Sequence, residues 1–209
     1  MIKDKNVPRA IPPIVDVYQR HGAAWAALRG TALVEAVWLD QFDALLPAGG
    51  AVLDLGCGAG VPLARELVRR GYAVTGLDVT PTMLALFRRN LPGVEVLAAD
   101  MRELALGRRF AGLLAWDSFF HLSPEDQRSM FARFQAHAAP GAALMFTSGD
   151  VEGVAIGELE GDPLYHGSLN EAEYRALLET HGFDVAAHVA QDPTCGYRTV
   201  WLARQRDTP

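Results

Sequence analysis

The sequence predicts an α/β fold: a doubly wound, mostly parallel seven-stranded sheet with helices on both faces, an antiparallel C-terminal hairpin and an N-terminal helical cap. Three observations carry this expectation. From Ala51 onward, short β-rich apolar runs alternate with longer segments of helical period, the pattern of a parallel sheet covered on both sides. The first run leads straight into a glycine loop, VLDLGCGAG at 52–60, and then into a helical segment. The last two runs are separated only by residues 192–196, DPTCG, too short for a parallel crossover, so they pair antiparallel at one edge.

Taken in order, residues 1–47 read as a helical cap. Within it, positions 31–46 carry Leu33, Val34, Val37, Trp38, Leu45 and Leu46 on a helical stripe that stops at Pro47 and Gly49. Residues 48–209 form the α/β core, with strands expected at 51–55, 73–77, 94–98, 110–115, 142–147, 185–190 and 197–203. Between the first two, Leu63, Ala64, Leu67 and Val68 share one helical face, and Gly71 is suited to follow the last helical residue. Thr80 and Pro81 open the next helix as N-cap and first helical residue. Ser123 and Pro124 repeat that signature, with Glu125 and Asp126 adding acids to the first turn. Residues 149–170 are rich in glycine and lack a sustained period. A connection of that length reads as a lid or substrate loop.

Composition narrows the function. A chain of 209 residues, 50% hydrophobic and 21% charged, suits one globular domain spanning 1–209. The net charge of −6, with no cluster of Lys and Arg, argues against nucleic acid as a partner. No apolar run approaches the roughly twenty residues needed to cross a bilayer. No apolar segment follows the charged N-terminus either, so the expected location is the cytoplasm. Cys57 and Cys195 belong to no CxxC pair and no His or carboxylate cluster has ligand spacing, so the expectation is free thiols and no metal. Oligomeric state is not legible.

The glycine loop carries the chemistry. Gly56, Gly58 and Gly60 let the backbone approach a ligand closely, but a dinucleotide fingerprint would need glycine at Val61, and there is no GK[ST] of a phosphate loop. Asp54, at the end of the first strand, would repel a pyrophosphate and attract an ammonium or sulfonium. Asp78, at the end of the second, is placed to accept the two hydroxyls of a ribose, and Asp100 and Met101 follow the third, an acid for an adenine amino group and an apolar side chain for its ring. Each has a plainer alternative: Asp54 as a helix cap or a partner for Arg65, Asp78 as a cap for the helix at Thr80, and Asp100 as a solvated turn residue.

These residues resemble the class I S-adenosylmethionine (SAM)-dependent methyltransferases, especially the small-molecule enzymes with an N-terminal helical cap. The likeness covers the sheet domain: VLDLGCGAG, VTGLD at 74–78, AADM at 98–101 and AWDSFFHL at 115–122 match successive segments of that family in order. The resemblance implies that Asp54, Gly56, Cys57 and Gly58 surround the amino-acid end of SAM and that Asp78 holds the ribose. Asp100 and Met101 would frame the adenine, with Val79 and Met83 flanking the ring. Trp116 and Asp117 would lie against the methionine portion, and Tyr18 would reach the SAM carboxylate. Methyl transfer to a small-molecule acceptor would proceed by in-line displacement, leaving S-adenosylhomocysteine (SAH). His121, Tyr165 and His166 are the candidates for contacting the acceptor or serving as its base, with Tyr18, Trp25 and Trp116 as possible walls. Trp25, Trp38 and Trp201 also have the spacing of core residues, His121 sits in an apolar run, and His166 and Tyr165 fall in the long loop. Competing readings are a nicotinamide-dependent oxidoreductase, a non-catalytic SAM-binding module and a macromolecular methyltransferase. The last lacks its NPPY-type motif, because Ala115, Trp116, Asp117 and Ser118 occupy that position.

Overall fold

The computed structural model describes residues 12–207. Two helices, α1 (Ile14–Arg29) and α2 (Ala36–Asp43), precede the sheet domain. There, β1 (Ala51–Leu55), α3 (Leu63–Arg69), β2 (Ala73–Asp78), α4 (Pro81–Asn90), β3 (Glu95–Ala98) and β4 (Phe110–Ala115) follow one another. The chain continues through α5 (Pro124–His137), β5 (Ala138–Ser148), β6 (Gly153–Leu159), β7 (Asp162–Ser168), α6 (Glu171–Thr180), β8 (Phe183–Asp192) and β9 (Arg198–Gln205). Seven strands form one sheet in the order β3-β2-β1-β4-β5-β9-β8. β1 to β5 are parallel, and β9 runs antiparallel to both of its neighbours. The expected sheet and its antiparallel edge are therefore present.

Alternation along the strands feeds two apolar layers. On one face Leu53, Leu55, Leu113 and Ala115 join Phe119, Phe131, Phe134, Tyr174 and Trp201, under α5 and α6. On the other, Val52, Val74 and Leu114 join Trp38, Phe42, Leu67 and Phe87, under α2, α3 and α4. Trp38 and Trp201 are core residues. Ser123 caps α5 by accepting from the Asp126 N–H at 3.1 Å. Thr80 occupies the N-cap position of α4, but its own side chain makes no capping bond. No described helix is long and apolar enough to cross a membrane.

Three expectations need correcting. The helix expected over 31–46 is confined to α2, since Gly30 at φ +62° ends α1 and irregular chain follows. The last strand begins at Arg198, because Tyr197 adopts φ +60° in the connection. Most consequentially, 149–170 is no irregular loop but holds a separate β-hairpin, β6 with β7. Its turn, Glu160 and Gly161, has positive φ at both residues (+52° and +82°), the conformation that matches strand twist in two-residue hairpins. Val154 and Ile156 are exposed on β6, so the strand lacks the alternation that would have announced it.

The hairpin is seated on α1. Leu159 and Leu164 pack with Val17, Ile14, Tyr18 and Trp25. At its tip the Asp162 carboxylate accepts from Arg20 Nη2 at 2.7 Å and lies 2.9 Å from His21 Nε2. α1 is also tied to α4, where Thr82 N–H donates to Gln19 Oε1 at 3.2 Å and the Thr82 hydroxyl to the Gln19 carbonyl at 3.1 Å. Together α1 and the hairpin roof the carboxyl ends of the parallel strands.

The loop after β1 depends on close packing at Gly60, where φ is +72° and an added Cβ would lie 2.7 Å from the Phe87 ring. Gly60→Ala is expected to lower the unfolding free energy by about 2 kcal/mol or more, measured by chemical denaturation. Gly71→Ala, also at positive φ but with nothing within 4 Å of the added carbon, is expected to cost only about 1 kcal/mol.

Candidate cofactor cleft and active site

The cleft lies where β1, β2 and β4 end, the usual ligand position in an open α/β sheet. Gly56 and Cys57 donate their N–H groups to the Leu77 carbonyl at 2.7 and 3.0 Å, which ties the loop to β2. Ser118, after β4, donates its hydroxyl to the Leu55 carbonyl at 2.6 Å. A Cβ on Gly56 would lie 2.4 Å from the Cβ of Ser118, so only glycine allows this approach. Asp78 then accepts from Gly58 N–H at 3.0 Å and Thr80 N–H at 2.8 Å, fixing the loop and the start of α4 with one carboxylate. Asp78 also lines the cleft.

Two cavities meet at this loop. The larger, about 560 Å³, is lined by Asp78, Val79, Met83, Asp100 and Met101 on one side and by Tyr18, His121 and Tyr165 on the other. The smaller, about 80 Å³, is lined by Asp54, Cys57, Trp116 and Arg29. Trp25, Gly56, Gly58 and Asp117 line both. Trp25 thus lines the cavities on one side while packing against the Val17, Leu159 and Leu164 cluster on the other. Arg29 was not singled out from the sequence, where nothing distinguishes it from any arginine at a helix end.

Electrostatically, the loop is dominated by two acids, the buried Asp54 and the partly buried Asp78. Asp54 is 5% exposed, and burial together with the neighbouring Asp78 raises its carboxyl to about 7. Burial also raises Asp78, opposed by the N–H groups it accepts. Neither carboxylate is in an ion pair among the described residues, so Asp54 has no bridge to Arg65, and the residue preceding α3 is Pro62. Burial pushes the Cys57 thiol well up, and the side chain simply fills the loop. Trp116 lines the smaller cavity, and its buried indole N–H has no hydrogen-bond partner among the described residues. Asp117 is held by Arg198, with three nitrogen-to-oxygen distances from 2.7 to 3.0 Å. Asp100 bonds mainly to Arg102, at 2.6 Å, and caps the single 3₁₀ turn Met101–Glu103 while still lining the larger cavity.

In the lining of the larger cavity, His121 Nδ1 lies 2.9 Å from the Tyr165 carbonyl, which only accepts, so Nδ1 carries the proton. Nε2 is then the acceptor for the Tyr18 hydroxyl at 3.0 Å. Burial pushes His121 down to about 4 and the Tyr18 phenol upward. Tyr18 therefore gives its hydroxyl to His121 in the larger cavity, away from the smaller one at the glycine loop. Of the three candidates, His121 and Tyr165 line the larger cavity and His166 does not. His166 stacks on His121 with ring centroids 5.1 Å apart, yet it lines a different cavity of about 450 Å³, with Phe120, Ser148 and Val154.

Solved structures with this architecture include the 1,6-didemethyltoxoflavin-N1-methyltransferase of Burkholderia thailandensis, at TM-score 0.71 and 21% identity, covering 97% of this chain and 93% of that one. An amino pentose methyltransferase from Micromonospora echinaspora, solved with SAM bound, superposes at TM-score 0.68 and 23% identity, covering 97% and 99%. Residues 52–141 match the family model of the methyltransferase domain. Over these residues the chain is similar to methyltransferase domains. Among curated relatives, a dTDP-3-amino-3,6-dideoxy-alpha-D-glucopyranose N,N-dimethyltransferase of Streptomyces fradiae is 34% identical over 101 residues, 47% of this chain and 39% of that protein. A dTDP-4-amino-2,3,4,6-tetradeoxy-D-glucose N,N-dimethyltransferase of Saccharopolyspora spinosa is 30% identical over 132 residues, 62% and 50%. The chain thus spans half or less of the length of these curated relatives.

The raised Asp54 carboxyl makes stability depend on pH. Because the folded protein keeps this proton up to about 7 while the unfolded chain releases it near 4, its contribution is fully present below pH 4 and is lost as pH rises through 7. Asp54→Asn is expected to be more stable than the parent at pH 8, and its midpoint in urea is expected to fall less between pH 5 and pH 8.

Proposed function

We propose that the protein transfers the methyl group of SAM to a nitrogen of a small, largely apolar acceptor. The observation that carries this reading is the smaller cavity. Its lining includes Asp54, a buried carboxylate in no ion pair among the described residues, and Trp116, whose buried indole N–H has no acceptor among them. A zwitterionic amino-acid group supplies both missing partners, an ammonium for Asp54 and a carboxylate for the Trp116 N–H. A pyrophosphate would meet Asp54 with like charge, which disfavours a nicotinamide dinucleotide.

The larger cavity takes the nucleoside. Asp78 would accept from the ribose hydroxyls with the capacity left by its two backbone bonds, Val79, Met83 and Met101 would pack on the adenine, and Asp100 would accept from its amino group. Trp116 takes the carboxylate role expected of Tyr18, whose hydroxyl is committed to His121. SAM supplies an activated methyl on a sulfonium; the protein supplies alignment and a site shielded by α1 and the hairpin. Alignment of this kind can be worth about 7–11 kcal/mol of barrier in favourable cases.

The acceptor side favours a nucleophile that need not first lose a proton. His121 has one ring nitrogen donating and the other accepting, and it stays neutral well below pH 7. Asp117 is clamped by Arg198 and Asp126 approaches Arg102 at 3.5 Å, so neither is a free base. A neutral amine or ring nitrogen attacks through its lone pair and sheds its proton to water afterwards. Tyr18, His121 and Tyr165 would then orient the acceptor and exclude water. The dimethylated amino sugars named for the relatives agree with nitrogen as the target.

Calorimetry with SAM, SAH and NADH tests the cofactor assignment. Micromolar binding of the first two, none of the third, and at least a tenfold loss in Asp78→Asn are expected. Binding of NADH alone would overturn it. Affinity for SAM is also expected to rise from pH 6 to pH 8, because its ammonium pairs with the ionised form of Asp54.

A further inference from the structure

The two cavities meet at a neck made by Trp25, Gly56, Gly58 and Asp117. In SAM the sulfur is the atom that joins the methionine chain to the ribose, so a ligand with its amino-acid end in the smaller cavity and its nucleoside in the larger carries its sulfonium through this neck. Asp117 contributes the ionisable group there. It adopts φ +50°, unfavourable for a residue with a side chain, and its N–H donates to Thr147 Oγ1 at 2.9 Å. Arg198, the first residue of β9, grips both carboxylate oxygens and is itself anchored by a 2.6 Å bond to the Cys195 carbonyl, with its guanidinium 6.0 Å above the Trp116 ring.

We infer that Arg198 is a positioning residue that neutralises the neck, holding the Asp117 carboxylate so that no net charge faces the sulfur. The inference rests on the SAM-dependent reading above. Its logic lies in the charge movement of the reaction: the acceptor lone pair forms the new bond to the methyl carbon, the C–S electron pair stays on sulfur, and the positive charge passes to the acceptor. A free carboxylate at the neck would stabilise the sulfonium before reaction more than the nearly neutral sulfur afterwards. Such ground-state binding raises the barrier. A paired carboxylate keeps the shape of the neck without that preference. Arg198 lies 81 positions from Asp117 in sequence, and nothing in the glycine-loop motifs points to it.

The SAM-to-SAH affinity ratio reads this charge directly, because the two ligands differ at the sulfur by a methyl group and one positive charge. Calorimetry on the parent, Arg198→Met, Asp117→Asn and the double variant is expected to show opposite shifts. Arg198→Met frees the carboxylate and should raise the ratio about three- to tenfold, the size expected of one nearby charge in a partly hydrated site. Asp117→Asn leaves the guanidinium alone and should lower it by a similar factor. The double variant should return close to the parent. A merely structural role would weaken both ligands together and leave the ratio unchanged in both single variants, which would overturn the inference. Asp117→Asn, close to isosteric, carries the test alone should Arg198→Met fail to fold. If the parent binds neither ligand, the methyltransferase reading itself falls; if it binds both and the ratio does not move, only the role of Arg198 does.

Discussion

Two carboxylates at the ends of adjacent parallel strands, Asp54 on β1 and Asp78 on β2, are the constraint around which the site is organised. Both are withdrawn from water, Asp78 raises the cost of ionising Asp54, and no cation pairs with either among the described residues. A fold optimised for stability alone would not keep such a pair. It is tolerable because Asp78 is also a fastener, accepting N–H groups from the glycine loop and from the start of α4. Asp54 has no comparable duty, and its unmet preference for a cation is the clearest chemical statement the cleft makes.

The rest of the molecule works around that pair. Close packing of Gly56 on Ser118 and of Gly60 on Phe87 makes the loop thin enough to leave space above it. α1 and the β6–β7 hairpin close the space, joined by the Tyr18–His121–Tyr165 chain of hydrogen bonds and by the ion pairs of Asp162. This roof brings aromatic rings and the neutral His121 imidazole over the cavity. Arg198 and Arg102 are present, yet each is engaged by carboxylates. The division is consistent: charge recognition at the loop, shape and desolvation under the roof.

The sheet and the loop were legible because their signals are local. The strand ends at Asp54, Asp78 and Asp100 each lie within a few residues of a glycine or a helix start, and all of them line the two cavities. Features made by distant pairing were not legible. The hairpin escaped because Val154 and Ile156 face outward and its turn residues, Glu160 and Gly161, are not a common turn pair. His166 and Tyr165 are adjacent in sequence, but in the folded chain they line different cavities. Trp25 has the spacing of a core residue on a helix whose buried face turns out to border an open cleft. Arg198 enters only because β9 inserts between β5 and β8 and delivers its first residue beside Asp117.

The account is tested most directly by counting protons. If Asp54 holds a proton in the unliganded protein and gives it up to meet the ammonium of SAM, calorimetric titration at pH 6.5 in buffers of different ionisation enthalpy should show release of a substantial fraction of a proton per SAM bound. Asp54→Asn should abolish that release. Tight binding with no net proton release in the parent, or the same release in Asp54→Asn, would contradict the assignment of Asp54 as the unpaired acid that recognises the ligand.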